Sequence, residues 1–192
     1  EGVPASAAKL NSPGAVVADA QGNIFVADSS NHRILRVDAA TGITTTFAGS
    51  LAPGFGGDEG PAAQSFINFP QGLAIDSEGS LYIADSNNNR IRRVTRDGVI
   101  RTIAGPATLS FPTGLALDRT ANLYITDSSN HRIARLDQQT GSITTIAGNG
   151  SLSSPQSIAF DPAGNLYIAD TGNNRIQRID ARSQNIQTVA GT

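Results

Sequence analysis

Several residue types are missing or nearly missing from this 192-residue chain, and each absence excludes something. There is no cysteine, so the chain has neither a disulfide framework nor a thiolate metal site. No apolar run approaches the ~18 residues that a membrane-spanning helix requires, so we expect no membrane span. Lysine occurs once, at Lys9, and the other thirteen basic residues are arginine, whose planar fork of donors suits specific pairing. Histidine occurs only at His32 and His131.

Net charge and chain length exclude less than the missing residue types do. The formal net charge of -2 argues against a surface that mainly neutralises phosphate groups. The length allows one sizeable core or two small ones. Because the sequence begins without methionine and without a signal-peptide pattern, we expect it to be an excised or processed piece.

What the chain does contain is a fourfold internal repeat. The segments ADSSNHRILRV, ADSNNNRIRRV, TDSSNHRIARL and ADTGNNRIQRI align without gaps. Their aspartates, Asp28, Asp85, Asp127 and Asp170, are 57, 42 and 43 residues apart, and a period near 40 is typical of propellers and solenoids. The longer first spacing results from one glycine-rich insertion.

Within each repeat, β-branched runs separated by Gly, Asn and Asp turns predict four short strands. Alternate positions on both faces are apolar, and stacking the sheets face to face around an axis covers both faces. We therefore predict an all-β fold, a single β-propeller unit or fragment over residues 1–192, with four blades that are each a four-stranded antiparallel meander. The blades are expected at about 12–49, 69–105, 111–148 and 154–191, with a glycine-rich connector at 50–68. A β-solenoid, the alternative, would need shorter coils.

One stretch carries a resemblance to a known family. The segment FPQGLAIDSEGSLYIADSNNNRIRRV, followed by IRTIAG, resembles the bacterial type of NHL repeat, whose signature is an Asn-His-Leu-like triplet after an Asp-bearing strand. Here the triplets begin at Asn31, Asn88, Asn130 and Asn173. The resemblance covers about residues 13–191 and implies the propeller fold. It leaves function open, because the family includes RNA-binding and ligase-associated domains, sensor ectodomains and an amidating lyase.

The repeated Asp and Arg are interpreted as structural. The Asp ends the second strand and can accept hydrogen bonds from the following turn. The Arg opens the third strand and can pair as a fork with this Asp or with the equivalent Asp of the next blade. Both recur in all four repeats, whereas a reaction needs one asymmetric site. The expected pairs are Asp28 with Arg33, Asp85 with Arg90, Asp127 with Arg132, and Asp170 with Arg175.

Function is expected at the end of the propeller where the variable loop residues lie. We predict a non-catalytic binding or scaffold module for a protein, peptide or glycan partner, with no catalytic residue, no metal ligands and no cofactor. The predicted binding residues are Ser30, His32, Asn87, Asn89, Ser129, His131, Gly172 and Asn174, with Phe55 of the connector lying over them.

Two other functions stay open as alternatives. A metal-dependent lyase or hydrolase using the central channel would need at least three protein ligands, and the two histidines supply at most two. The connector's GGDEG lacks the spacing of a calcium loop and is interpreted as flexible. RNA binding would use the basic run RIRRVTRDGVIR, but that run lacks interleaved aromatics and is better explained as a solvated outer edge, so we expect no nucleic acid partner.

Four blades of the usual wedge would leave two apolar faces uncovered. We therefore predict a homodimer in which two chains close an eight-blade ring, with a monomeric four-blade ring as the alternative. The compartment is not specified by the residues; family habit and the absence of cysteine fit a bacterial extracellular, periplasmic or cell-surface protein.

Overall fold

The structure, a computed structural model, describes residues 2–191. It is an all-β propeller of four antiparallel blades, as the repeats predict, and short 3-10 turns connect several of its strands. The first blade contains β1 (Pro13–Ala18), β2 (Ile24–Asp28), β3 (Arg33–Val37) and β4 (Thr44–Ala48). The second contains β5 (Gly60–Pro61), β6 (Pro70–Ile75), β7 (Leu81–Asp85), β8 (Arg90–Val94) and β9 (Val99–Ala104). The third contains β10 (Pro112–Leu117), β11 (Leu123–Asp127), β12 (Arg132–Leu136) and β13 (Ile143–Ala147), and the fourth β14 (Ser157–Phe160), β15 (Leu166–Asp170), β16 (Arg175–Ile179) and β17 (Ile186–Gly191).

The turn between the first two strands of a blade is built by an aspartate. In blade 1, Asp19 accepts hydrogen bonds from the N–H groups of Gln21 and Asn23 at 2.9 and 2.8 Å, and from the Asn23 side chain at 2.7 Å. Asp118 and Asp161 make the same bonds in blades 3 and 4. A side chain that substitutes for backbone partners in this way fixes the reversal locally. Each blade therefore folds as a chain of short hairpins.

The core lies between consecutive blades. The innermost strands pack β1 on β6, β6 on β10, and β10 on β14, and apolar side chains from both partners fill each gap. Contact is close enough that a Cβ added at Gly72 would overlap the Thr113 carbonyl of the next blade. Each inter-blade gap is thus a separate small core, and the hydrophobic stabilisation of one blade depends on its neighbours.

The connector is more ordered than the sequence suggested. Its Gly60–Pro61 pairs with Val99 and Ile100 and adds a fifth strand to the outer edge of blade 2. In the same segment Asp58 pairs with Arg92 at 2.7 Å. The expectation of a flexible connector is wrong for this part, because a buried arginine and a free strand edge hold it in place.

Blades 1 and 4 each keep one uncovered face. Within residues 2–191, β14 makes no packing with β1 comparable to the other three contacts. Val16 is 65% exposed, whereas its equivalents, Leu73, Leu115 and Ile158, are 5–8% exposed. We call the surface of Val16, Ile24 and Val26 the leading face of blade 1. The corresponding surface of Ile176, Ile186 and Val189 is the trailing face of blade 4.

Candidate functional site

The turn between the second and third strands has the same backbone in every blade. A residue with φ near -85°, Asp28 in blade 1, is followed by one 3-10 turn and then by a residue in the left-handed region. Asp28 Oδ1 accepts the N–H of Asn11 at 2.7 Å, and its Oδ2 accepts Asn31 Nδ2 at 2.9 Å and Arg33 Nε at 2.8 Å. One buried carboxylate therefore joins the blade's entry segment, its turn and its third strand.

The Asp–Arg pairs differ in detail from the predicted fork. Arg33, Arg132 and Arg175 each contact their aspartate through Nε alone, at 2.7–2.8 Å. Their Nη2 atoms reach backbone carbonyls of Lys9, Thr108 and Ser151 instead. The guanidinium is therefore shared between the carboxylate and the blade's entry segment, so it braces both.

Blade 2 departs from this pattern, and the expected pair of Asp85 with Arg90 does not form. Arg92, which is fully buried, lies 3.4 Å from Asp85 and 2.7 Å from Asp58 of the connector. The Arg90 guanidinium instead stacks on the Phe55 ring, 3.8 Å from its centroid. The connector supplies both an aromatic face and a second carboxylate. Arg90 therefore stacks on Phe55, and Arg92 takes its place beside Asp85 while it also pairs with Asp58.

Asp85 in blade 2 and Asp170 in blade 4 are at equivalent positions, but their pKa values are shifted in opposite directions. Burial raises the pKa of Asp85, and the hydrogen bonds from Asn88, the Asn68 N–H and Arg92 do not offset it. Burial also opposes ionisation of Asp170. There, hydrogen bonds from the Ser153 N–H and the side chains of Asn173, Arg175 and Gln177 outweigh burial and lower the pKa below its ordinary value. Asp85 receives four hydrogen bonds as well, but the one from Arg92 is long, at 3.4 Å, and Asp85 is the more deeply buried of the two, so burial decides the direction there.

Several arginines in the basic run of blade 2 are paired within the protein, and one of them is buried. Arg92 is buried, Arg93 donates to Ser80 Oγ at 2.9 Å, and Arg101 Nε lies 2.9 Å from Glu59. The interpretation of the whole run as a solvated outer edge is therefore wrong for Arg92, because Asp58 and Asp85 compensate its charge inside the protein.

The left-handed residue of the turn forms a joint to the next blade in blades 1, 2 and 3. The Nδ1 atom of His32 accepts the N–H of Phe69 at 3.1 Å, and that of His131 accepts the N–H of Ser154 at 2.9 Å. In blade 2, Asn89 Oδ1 accepts the N–H of Phe111 at 2.7 Å. Both imidazoles are therefore Nδ1 acceptors, and histidine and asparagine do the same work. Sequence reasoning missed this role; the signal was that both residue types place an acceptor at the same point of the side chain.

The predicted binding residues lie at one end of the sheets, around these turns. The backbone N–H groups of Ser30, Asn87, Ser129 and Gly172 donate to the backbone of the entry segment of the same blade. A side chain at Gly172 would overlap Ser153, so this position contributes backbone alone to the surface. Asn87, Ser129, His131, Gly172 and Asn174 are exposed, while Ser30, His32 and Asn89 are half-buried. Phe55 is 46% exposed and lies beside the turn of blade 2, where Asn88 donates to the Gly54 carbonyl. A shallow cavity of ≈ 550 Å³ beside His131 is lined also by Arg132, Asn149 and Leu152.

A second cavity, of ≈ 470 Å³, lies between blades 2 and 3 and was not predicted. Tyr82 contributes its hydroxyl, 3.0 Å from Asp76 Oδ2 and 2.6 Å from Gln138 Oε1. Burial, with a smaller contribution from the nearby Asp76 charge, raises the pKa of Tyr82 to about 12. The cavity depends on side chains from two blades, so no single repeat carries its signature.

Metal and membrane features can be stated only for the described chain. Across residues 2–191 no three His, Asp or Glu side chains are grouped closely enough to hold a metal ion. In the same range no helix has the length and apolar character to cross a membrane.

Comparison with known proteins finds curated relatives that match part of this chain. NHL repeat-containing protein 2 of Homo sapiens is 41% identical over 91 residues, which is 44% of this chain and 12% of the relative. Protein SUPPRESSOR OF QUENCHING 1, chloroplastic, of Arabidopsis thaliana is 36% identical over 85 residues, 44% of this chain and 8% of the relative. This chain therefore spans a small part of the curated relatives it matches.

Solved structures show the same fold at low sequence identity. Virginiamycin B lyase from Staphylococcus aureus superposes with a TM-score of 0.71 at 22% identity, over 92% of this chain and 54% of the lyase. A nidogen/laminin complex contains a chain with a TM-score of 0.74 at 23% identity, over 94% of this chain and 64% of the other. These similarities establish the propeller fold. The NHL resemblance is confirmed, and because the family model described as virginiamycin B lyase family matches residues 4–189, this chain belongs to that family.

Proposed function

We propose that this chain is a non-catalytic binding module. Its binding surface is the end of the propeller at which the turns between the second and third strands lie. The observation that carries the proposal is that the backbone of this turn is the same in four blades while its outward residues differ. A constant scaffold with variable exposed side chains is what a recognition surface requires.

The chemistry of that surface suits a polar partner. Its exposed groups are amides and hydroxyls, together with the outer edge of the His131 ring. Phe55 adds one partly exposed aromatic face, which Arg90 supports from behind. Hydroxyl and amide groups around one aromatic ring favour a glycan, a peptide or a loop of another protein over a purely apolar ligand. Nucleic acid is not included, since acidic residues accompany the basic run of blade 2.

The two imidazoles already serve as hydrogen-bond acceptors between blades, and this role argues against catalysis by them. Each Nδ1 atom accepts a backbone N–H from the next blade, so each ring is fixed by the fold. With Nδ1 accepting a backbone N–H, the neutral ring carries its proton on Nε2, so neither ring nitrogen has a free lone pair with which to act as a general base. The His-to-Asn alternation between blades indicates the same structural role.

A metal-dependent lyase is the second candidate, and the family match is the observation that favours it. Virginiamycin B lyase of S. aureus has the same fold, and its catalytically inactive variant was solved with quinupristin. For this chain the lyase alternative requires a bound metal. Metal analysis of the purified protein tests it: stoichiometric zinc or calcium supports the lyase and contradicts the binding module.

The binding proposal is tested by screening glycan and peptide arrays with the labelled protein. We expect a hit whose affinity falls roughly tenfold or more in the variant N87A/S129A/H131N, in which Asn keeps the acceptor for the Ser154 N–H. The control is Gln21→Ala, an exposed change in a β1–β2 turn at the opposite end of the sheet, which should leave affinity unchanged. Equal loss in both variants, or no saturable binding on any array, would count against a recognition surface at these turns.

A further inference from the structure

The three joints between consecutive blades are made from the same parts. In each, the left-handed residue accepts the N–H of the residue that precedes the next blade's opening proline. In each, a serine hydroxyl also donates to the carbonyl of that proline, at 2.5–2.6 Å. The isoleucine after the repeat arginine is fully buried in the gap. These isoleucines are Ile34, Ile91 and Ile133.

The trailing face of blade 4 carries one half of such a joint, and no other part of residues 2–191 supplies its partner. Asn174 has the left-handed conformation, with φ of 53°, and is exposed. Thr171 stands where the serines stand in the other blades, and its hydroxyl lies 3.4 Å from the Ala169 carbonyl of its own blade. Ile176 is 37% exposed, although its three equivalents are fully buried. A shallow cavity of ≈ 280 Å³ lies among these residues.

The leading face of blade 1 carries the other half. Ser12 precedes the opening Pro13 and has φ of 50°, close to the 42–55° of the residues that donate in the existing joints. Val16 and Ile24 are 65% and 39% exposed, whereas their equivalents in the other blades are at most 8% exposed. Both hydrogen-bonding groups and the apolar surface that a joint needs are therefore present on the two faces, divided between them.

We propose that the trailing face of blade 4 packs on the leading face of blade 1 in a second copy of this chain, which gives a closed dimer with two equal joints. In each joint the Ser12 N–H donates to Asn174 Oδ1 and the Thr171 hydroxyl donates to the Pro13 carbonyl. A second copy is the occupant because it carries the complement of both hydrogen bonds, and because each copy has one face of each kind, two copies leave none uncovered. This inference is independent of the proposed binding function.

Light scattering on the 192-residue chain tests the dimer directly. The expected mass is twice that of one chain, and the variants I176E and V16E, one on each face, should halve it. Both positions are exposed in the single chain, so the charge does not need to be buried for the monomer to fold. Leu51→Glu is the matched control, because Leu51 is a 57% exposed apolar residue in the connector, and it should remain dimeric.

Mixing the two variants distinguishes this arrangement from other dimers. A heterodimer of I176E with V16E contains one joint with both changes and one joint with neither. The mixture should therefore regain dimers that neither variant forms alone. A dimer made by pairing two identical faces would not be rescued in this way, and that result would overturn the proposal.

A measurement on the unchanged protein covers the case in which a variant fails to fold. Hydrogen exchange at the Ser12 amide should slow at high protein concentration and speed up on dilution, in step with the mass. A wild-type monomer at all concentrations would overturn the dimer and leave the faces to further blades of a longer polypeptide. Open polymers of increasing mass would overturn the closed ring.

Discussion

The Nδ1 atom of His32 lies 3.1 Å from the backbone nitrogen of Phe69 in the next blade and accepts a hydrogen bond from its N–H. Asn89 and His131 make the same bond in the following two blades. The left-handed residue of the NHL-type turn therefore acts as a hydrogen-bond acceptor that joins blades, and its identity is free to change as long as the acceptor remains.

This relationship predicts which substitutions of histidine are tolerated. His32→Asn keeps an acceptor in the same place and should change the free energy of unfolding by less than about 0.5 kcal/mol. His32→Leu leaves the Phe69 N–H without a partner and should cost about 1–3 kcal/mol. Urea unfolding followed by circular dichroism measures both. Equal destabilisation by Asn and Leu would show that the imidazole contributes something other than its acceptor.

The buried arginine of blade 2 gives a second prediction. Leu35 occupies the position of Arg92 in blade 1, so Arg92→Leu imitates a blade in which the other repeat arginine pairs with the aspartate. Arg90 can then turn from Phe55 to Asp85, and the loss should stay moderate. The double variant R90A/R92L leaves Asp85 buried without a cation and should cost about 3–5 kcal/mol.

The same substitution should release the connector. Arg92 donates to Asp58 and to the Gly56 carbonyl, so its removal should speed hydrogen exchange and proteolysis in residues 54–60. Arg101→Ala is the control, since its pair with Glu59 is exposed and should contribute little. An unchanged exchange rate in the connector of R92L would mean that the Gly60–Pro61 strand pairing alone holds this segment.

Acid stability should depend on Asp170 and Asp85 in opposite senses. Although burial opposes ionisation, hydrogen bonds from Ser153, Asn173, Arg175 and Gln177 lower the pKa of Asp170 in the folded state. Its contribution is therefore complete above the unfolded pKa and is lost as the pH falls through the lower folded value. Burial raises the pKa of Asp85, so its contribution is complete below the unfolded value and is lost as the pH rises through the folded one.

Urea midpoints measured from roughly pH 6 to pH 2 test these signs. Asp170→Asn should flatten the loss of stability on acidification relative to the wild type. Asp85→Asn should make that loss steeper, because it removes a group that takes up its proton earlier in the folded state. Identical pH profiles for the two variants would contradict the different balance of burial and hydrogen bonding at these sites.

Tyr82 should be visible at the alkaline end. Burial, followed by the effect of Asp76, raises its pKa to about 12, so the unfolded state ionises first and stability should fall as the pH rises from about 10 through that value. Tyr82→Phe should remove the phenolate absorbance that appears last in a spectrophotometric titration. A variant that loses an early-titrating phenolate instead would contradict the enclosed environment between blades 2 and 3.

The sequence was sufficient to predict the features that repeat. Four copies of one turn and four short apolar strands in each copy predict the blades. Four blades of the usual wedge also predict two uncovered faces, and in the structure Val16 and Ile176 are exposed although the equivalent residues of the other blades are buried. The role of His32 was within reach, since Asn replaces it at Asn89.

The features that occur once were not predictable. Arg92 is buried because Asp58, far away in sequence, reaches it from the connector, and Leu35, Ala134 and Gln177 at equivalent positions give no hint of this. The Tyr82 cavity likewise needs Gln138 from another blade. Contacts between a unique insertion and a repeat, or between side chains of different blades, have no periodic signal in the sequence.

His32 and His131 join blades, and we propose that they do this instead of taking part in a lyase reaction. Incubating wild type and the double variant H32N/H131N with quinupristin and a panel of divalent cations, followed by mass spectrometry and a thermal melt, tests this most directly. We predict that neither protein consumes quinupristin and that both melt at the same temperature. Consumption of quinupristin by the wild type that is lost in the double variant, with folding intact, would contradict the account.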